Sequence, residues 1–191
     1  MISIKSKSEI EIMREGGRIL AAAFEKVREA AKPGVTTQEL DSLVEQFIIK
    51  SGAIPSFKGY EGLPGAINFP ASICASVNDE VVHGIPGLRQ LKNGDIISVD
   101  IGVYYKGFHT DAARTFAIGE ISPEAERLIQ VTEQSFFEGI KQAVKGNRIV
   151  DISAAIQRFV EKNGFSVVRD YVGHGIGREM HELPQIPNYK T

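Results

Sequence analysis

Sliding the sequence along itself by 112 positions superposes Gly34 on Gly146, Leu40 on Ile152, Val44 on Ile156, Phe47 on Phe159, Ile48 on Val160, Lys50 on Lys162 and Gly52 on Gly164. An apolar face at helical spacing recurs together with both flanking glycines. Any two amphipathic helices ending in glycine align partly by chance, but the matched face and paired glycines favour an internal duplication. The chain then reads as one domain spanning residues 1–191, with a first half over about 1–119 and a second over about 120–191. At this length it can bury roughly 70% of its unfolded surface. The first copy continues for some 65 residues beyond Gly52 to the end of a hairpin, whereas 27 follow Gly164, so the second half reads as incomplete.

Local signals give each half its elements. Ser8 and Glu11 form a capping pattern that opens a long helix with apolar Ile10, Met13, Ile19 and Leu20, stopped by Pro33-Gly34. Thr36 and Glu39 repeat the pattern before a second helix whose face, Leu40, Leu43, Val44, Phe47 and Ile48, ends at Gly52. Pro55 to Pro70 reads as an irregular loop, and Ile73 to Val77 and Ile96 to Tyr105 read as strands. Ser122-Pro123 opens a third helix with a favourable N-cap and first-turn pair, closed by Gly146. Helix, helix, strand and hairpin followed by helices again make an α+β chain.

Net charge is −2 and the 22 basic residues are scattered, which argues against a nucleic-acid footprint or an anionic membrane surface. Cys74 is the only cysteine, so no internal disulfide forms, and the first residues carry no apolar signal core. No apolar run reaches the ~18 residues needed to cross a bilayer. A reducing cytoplasm is the expected location.

The hairpin carries the chemistry. With Lys106-Gly107 at the turn, Asp100 lies opposite Ala113, and Asp111 shares its face as a diagonal neighbour at about 7–8 Å between backbones. Two carboxylates on a solvated strand are commonly plain surface charge. Here Ile97, Val99, Ile101 and Val103 occupy the other face, while Ser98 and Gly102 leave room above the carboxylates. Like charges held so close in a half-buried sheet repel unless a cation lies between them, so a metal site is the economical reading.

Four histidines accompany the pair: His83, His109, His174 and His181. His109 has the parity of Asp111 but lies near the turn and is left out of the candidate site. His174 stands between glycines in GHGIG, which allow close backbone approach and unusual dihedrals. Two carboxylates and an imidazole suit Mn, Fe, Co or Zn. His181 lacks HExxH spacing, which excludes a zincin.

The segments VNDEVVHGIPG, SVDIG with FHTDAARTF, and GHGIGREMHELPQIPNY, in that order, resemble the type I methionine aminopeptidases of the pita-bread fold. The resemblance covers essentially the whole chain and implies two pseudo-twofold halves around a curved antiparallel sheet. It implies Asp100, Asp111 and His174 as metal ligands, and His83 and His181 as catalytic residues that hydrogen-bond the substrate. Tyr60 and Cys74 match positions lining the methionine side-chain pocket, and Met180 stands where an aromatic residue is often found. The implied activity is metal-dependent removal of the initiator methionine, with two divalent ions (Co, Mn, Fe or Zn) in the complete site. Nascent polypeptide N-termini and the ribosome are the implied partners. An X-Pro aminopeptidase or an inactive binding module of the same fold are the alternatives. The remaining two family ligands, both glutamates, would lie beyond Thr191, so the chain is expected to be C-terminally truncated and to hold one ion or none.

Overall fold

The computed structural model describes residues 2–61 and 67–191. Helix α1 spans Lys7–Ala30 and α2 Thr37–Lys50, followed by β1 (Ile54–Pro55), β2 (Ile73–Val77), β3 (Ile96–Tyr105) and β4 (Phe108–Ala117). Helices α3 (Pro123–Ile140) and α4 (Ile149–Lys162) come next, then β5 (Gly173–Gly175) and β6 (Glu182–Ile186). The chain divides into two compact units. One is Ile4–Ile121 together with Ile176–Met180, and the other is built on Ser122–Gly175 and His181–Thr191.

In the first unit every strand pairs antiparallel to β3: β4 lies along one edge, and β1 and β2 share the other. The turn is centred on Lys106 and Gly107, both with positive φ, and it sets the register that pairs Asp100 with Ala113 and Gly102 with Asp111. Positions alternate as expected. Ile97, Val99, Ile101 and Val103 are wholly buried, packed in one core with Leu20, Phe24 and Val27 of α1 and Leu40, Val44 and Ile48 of α2. Each such side chain contributes about 1.5–3 kcal/mol of hydrophobic stabilisation. That apolar layer makes the strand rigid and leaves its other face for polar work.

The start of α1 differs from expectation. Ser6, not Ser8, is the N-cap: its hydroxyl accepts from the Glu9 N–H, and the Glu9 carboxylate accepts from the Ser6 N–H at 2.7 Å. Two S-x-x-E patterns overlap in KSKSEIE, and the earlier one wins because Ser6 has the extended backbone that a cap requires. Ile10 is consequently 45% exposed, and the buried stripe begins at Gly16 and Leu20.

The second unit repeats the helical pair. Helix α4 begins and ends 112 positions after α2, and Gly146 and Gly164 share the positive φ of Gly34 and Gly52. Only half of the capping box is kept, because Arg148 replaces Thr36. Asp151 still accepts from the Arg148 N–H at 2.7 Å, but an arginine side chain cannot accept in return. Helix α3 stops at Ile140, before Gly146, which lies in the turn leading to α4. Gly139 lets α3 and α4 approach, since a Cβ there would meet Ile156 Cγ1 at 2.7 Å. Strands β5 and β6 form a separate two-stranded antiparallel sheet.

The expected loop from Pro55 to Pro70 begins inside β1, and residues 62–66 of it lie outside the described residues. Its stem is closed by backbone bonds from Gly59 N–H to Phe69 O and from Phe69 N–H to Tyr60 O.

Candidate metal and substrate site

The polar face of the sheet is a series of cross-strand rows. Ser76, Ser98 and Thr115 form one, with the Ser98 and Thr115 hydroxyls 2.8 Å apart. Cys74, Asp100 and Ala113 form the next, then Gly102 with Asp111, then Tyr104 with His109. Asp100 and Asp111 are both half-buried on this face.

Their field is registered by Cys74. Its thiol is pushed up to about 12, first by burial and then by the negative charges of Asp100 and Asp111. Cys74 therefore stays a neutral, compact wall residue at any ordinary pH. Two carboxylates concentrating negative potential on one half-buried face are a donor set that fits a hard or borderline divalent cation, which would relieve the repulsion between them. Among the described residues, no three His, Cys, Asp or Glu side chains are drawn together into a closed cage.

The room expected above Gly102 is filled by protein. A Cβ on Gly102 would meet the Phe57 ring at 2.6 Å and Ser56 Cβ at 2.7 Å. Phe57, Cys74 and Met180 form a buried cluster with Phe69 against it, and the two rings meet edge to face at 6.4 Å. A buried apolar cluster thus adjoins the carboxylates. Tyr60 is 40% exposed, and Phe57 and Phe69 of the same loop join that cluster. Sequence reasoning passed over both phenylalanines. Their signal was aromatic residues bracketing a Gly/Pro-rich loop, and it could be placed only once the loop stem was known to bring Phe69 back beside Tyr60.

His109, set aside in the sequence, is occupied elsewhere: its Nδ1 is 2.9 Å from Ser56 Oγ and its ring lies 4.6 Å from that of Tyr104.

His83 stands in a left-handed conformation at φ +63°. Such a backbone costs about 1–2 kcal/mol for a residue with a Cβ and persists where the surroundings impose it. Here Gly84 imposes it by laying its backbone on β2. Its carbonyl accepts from Ala75 N–H at 2.8 Å, and its N–H donates to Ser76 Oγ at 3.1 Å. His83 is thereby held beside the strand that carries Cys74.

In the second unit β5 and β6 bring His174 and His181 together, with ring centroids 4.3 Å apart. His174 Nδ1 is 2.9 Å from Gly175 O. The flanking glycines are required by proximity rather than by unusual dihedrals: neither has a positive φ, but a Cβ on Gly175 would lie 2.5 Å from Leu183 O. Asp100, Asp111, Cys74 and His83 thus belong to the first unit, and His174 and His181 to the second.

In class the chain is a metallopeptidase: the model of metallopeptidase family M24 matches residues 11–191. The chain belongs to that family. Within it, the sequence is 60% identical over 190 residues to the methionine aminopeptidase of Clostridium acetobutylicum, covering 99% of this chain and 74% of that protein. The methionine aminopeptidase structure from Thermotoga maritima superposes with a TM-score of 0.95 at 45% identity, covering all of this chain and 75% of that one. A Xaa-Pro dipeptidase from Bacillus anthracis is more distant, with a TM-score of 0.79 at 29% identity over 97% of this chain and 49% of that one. The pita-bread architecture expected from the sequence is therefore the observed one.

Proposed function

We propose that this chain removes the N-terminal methionine from polypeptides by metal-dependent hydrolysis, acting on nascent chains in the cytoplasm and meeting them at the ribosome. The observation that carries the reading is the apolar cluster of Phe57, Phe69, Cys74 and Met180 beside the sheet face that holds Asp100 and Asp111. An unbranched thioether suits apolar surroundings rich in phenylalanine rings, where sulfur-aromatic contacts add to area burial. The alanine methyl of an Ala-Pro substrate would bury less area there.

Asp100, Asp111 and His174 would hold the divalent metal. Bound there, it would lower the pKa of an attacking water and polarise the scissile carbonyl. Cys74, buried beside Phe57 and Met180, contributes shape to the apolar cluster. His83, fixed by its backbone, and His181 would hydrogen-bond the substrate and share the charge developing on the carbonyl oxygen. A positioned donor of this kind contributes roughly 10² to 10³ in rate.

The test is release of free methionine from Met-Ala-Ser and of alanine from Ala-Pro-Gly with excess Mn or Co, alongside a metal titration. Methionine release at a rate well above that of alanine supports the reading. Preference for Ala-Pro-Gly points to the X-Pro alternative, and absence of metal binding points to a binding module.

A further inference from the structure

Ile176–Met180 departs from its neighbours in the chain: the residues on either side of it belong to the second unit, but the segment itself packs in the first. Three contacts hold it there. The Gly177 carbonyl accepts from His109 N–H at 2.7 Å, on the outer edge of β4. The Arg178 guanidinium lies 4.7 Å above the ring of Phe108, the first residue of β4. The same group donates to Glu9 Oε1 at 2.8 Å. Two residues later Met180, 8% exposed, packs against Phe57 and Cys74.

We infer that Arg178 is a positioning residue that sets the pocket wall made by Met180, and so sets selectivity for the substrate's first side chain. This rests on the proposed function for its substrate but not for its geometry. Arg178 and Glu9 are joined at opposite ends of rigid elements. Glu9 is fixed by its role in the α1 capping box, where its other oxygen accepts from Ser6 N–H at 2.7 Å, and Phe108 is fixed as a buried strand residue at the hairpin turn. The Glu9 carboxyl is held below its usual range by the Ser6 bonds and then by Arg178, so it remains a charged partner at neutral pH. The guanidinium is thus received by two preorganised groups. Without them, the segment would lose its side-chain anchors to α1 and β4, and Met180, with three rotatable bonds, would have a less fixed approach to Phe57 and Cys74.

An exposed ion pair and an exposed cation–π contact together are worth a factor of about five to ten in an equilibrium constant. Arg178→Ala should therefore raise KM for Met-Ala-Ser about fivefold while kcat holds within about twofold, and should narrow the preference for Met-Ala-Ser over Leu-Ala-Ser by a similar factor. Glu9→Gln keeps an acceptor for the helix cap but removes the charge, and Arg178→Lys keeps the charge but removes the planar stack. Both should fall between wild type and Arg178→Ala.

A second readout is independent of activity. The chain has three methionines, Met1, Met13 and Met180, so methyl-13C-methionine labelling gives a spectrum that Met180→Leu assigns. Ring currents from the adjoining phenylalanines should displace the Met180 methyl signal in the wild type. In Arg178→Ala it should move toward the position of free methionine and sharpen, while the Met13 signal from α1 stays in place. An unmoved Met180 signal in Arg178→Ala overturns the inference, as does joint movement of Met13 and Met180, which would indicate general loosening of the unit. A displaced Met180 signal with unchanged KM and selectivity overturns the pocket role. If the wild type releases no methionine, the proposed function fails, while the methyl spectrum still decides whether Arg178 places Met180.

Discussion

Replacing Gly84 by alanine tests how His83 is held. The added Cβ would lie 2.3 Å from the Ala75 carbonyl oxygen, 2.8 Å from its carbon and 3.0 Å from Ser76 Cα. All three are backbone atoms of β2, a strand buried along its whole length, so no side chain can rotate aside. The His83-Gly84 segment must lift. That breaks the bond from Ala75 N–H to Gly84 O and the bond from Gly84 N–H to Ser76 Oγ. Each is worth about 1 kcal/mol net, and the Ala75 N–H left unsatisfied adds about 1–3 kcal/mol, for a total of roughly 3–5 kcal/mol. Freed from its left-handed backbone, His83 would leave the position proposed for it beside the substrate, and turnover should fall by roughly 10² to 10³. Urea unfolding followed by circular dichroism measures the first effect, and methionine release at saturating metal the second. Gly87→Ala is the control: nothing lies within 4 Å of its Cβ position, so stability should stay within about 0.5 kcal/mol of wild type. A Gly84→Ala protein with the wild-type midpoint and turnover would refute the backbone-clamp reasoning.

Three further substitutions separate charge, hydrogen bonding and chemistry. Asp100→Asn removes one of the negative charges that raise the Cys74 thiol, so the midpoint of thiol alkylation against pH should fall while bound metal is lost; an unmoved midpoint would contradict the shared carboxylate face. Asp41 accepts from Ser72 N–H and Ile73 N–H, yet burial outweighs these bonds and raises its pKa. Its protonation therefore favours the folded state, a contribution present below the ordinary aspartate value and lost as pH rises through the raised one. At pH 7, Asp41→Asn should be at least as stable as wild type in urea, whereas Asp41→Ala should lose about 1–3 kcal/mol per orphaned amide. His83→Ala should lower kcat while metal content, read by titration, stays constant; parallel loss of metal would make His83 a ligand.

What the sequence disclosed, and what it withheld, follows the range of the interactions involved. The hairpin register was legible because it depends on a two-residue turn and strict alternation, both local: Asp100 faces Ala113 as the turn at Lys106-Gly107 requires. The second and fourth helices were legible for the same reason. The start of α1 was not, because two overlapping capping patterns compete and only backbone geometry chooses between them. The apolar cluster beside the carboxylates was hidden more deeply. Nothing local tells Phe57 to cover Gly102, or Met180 to join Phe57 and Cys74 from far along the chain. The repeat shows the limit most directly. Phe24 and Phe136 occupy corresponding places 112 positions apart, yet Phe24 is 3% exposed against the core of the four-stranded sheet and Phe136 is 58% exposed. The two helices share a pattern but not a partner, since the second unit's described strands are only β5 and β6. Helical periodicity specifies a face, and only tertiary pairing decides what that face meets.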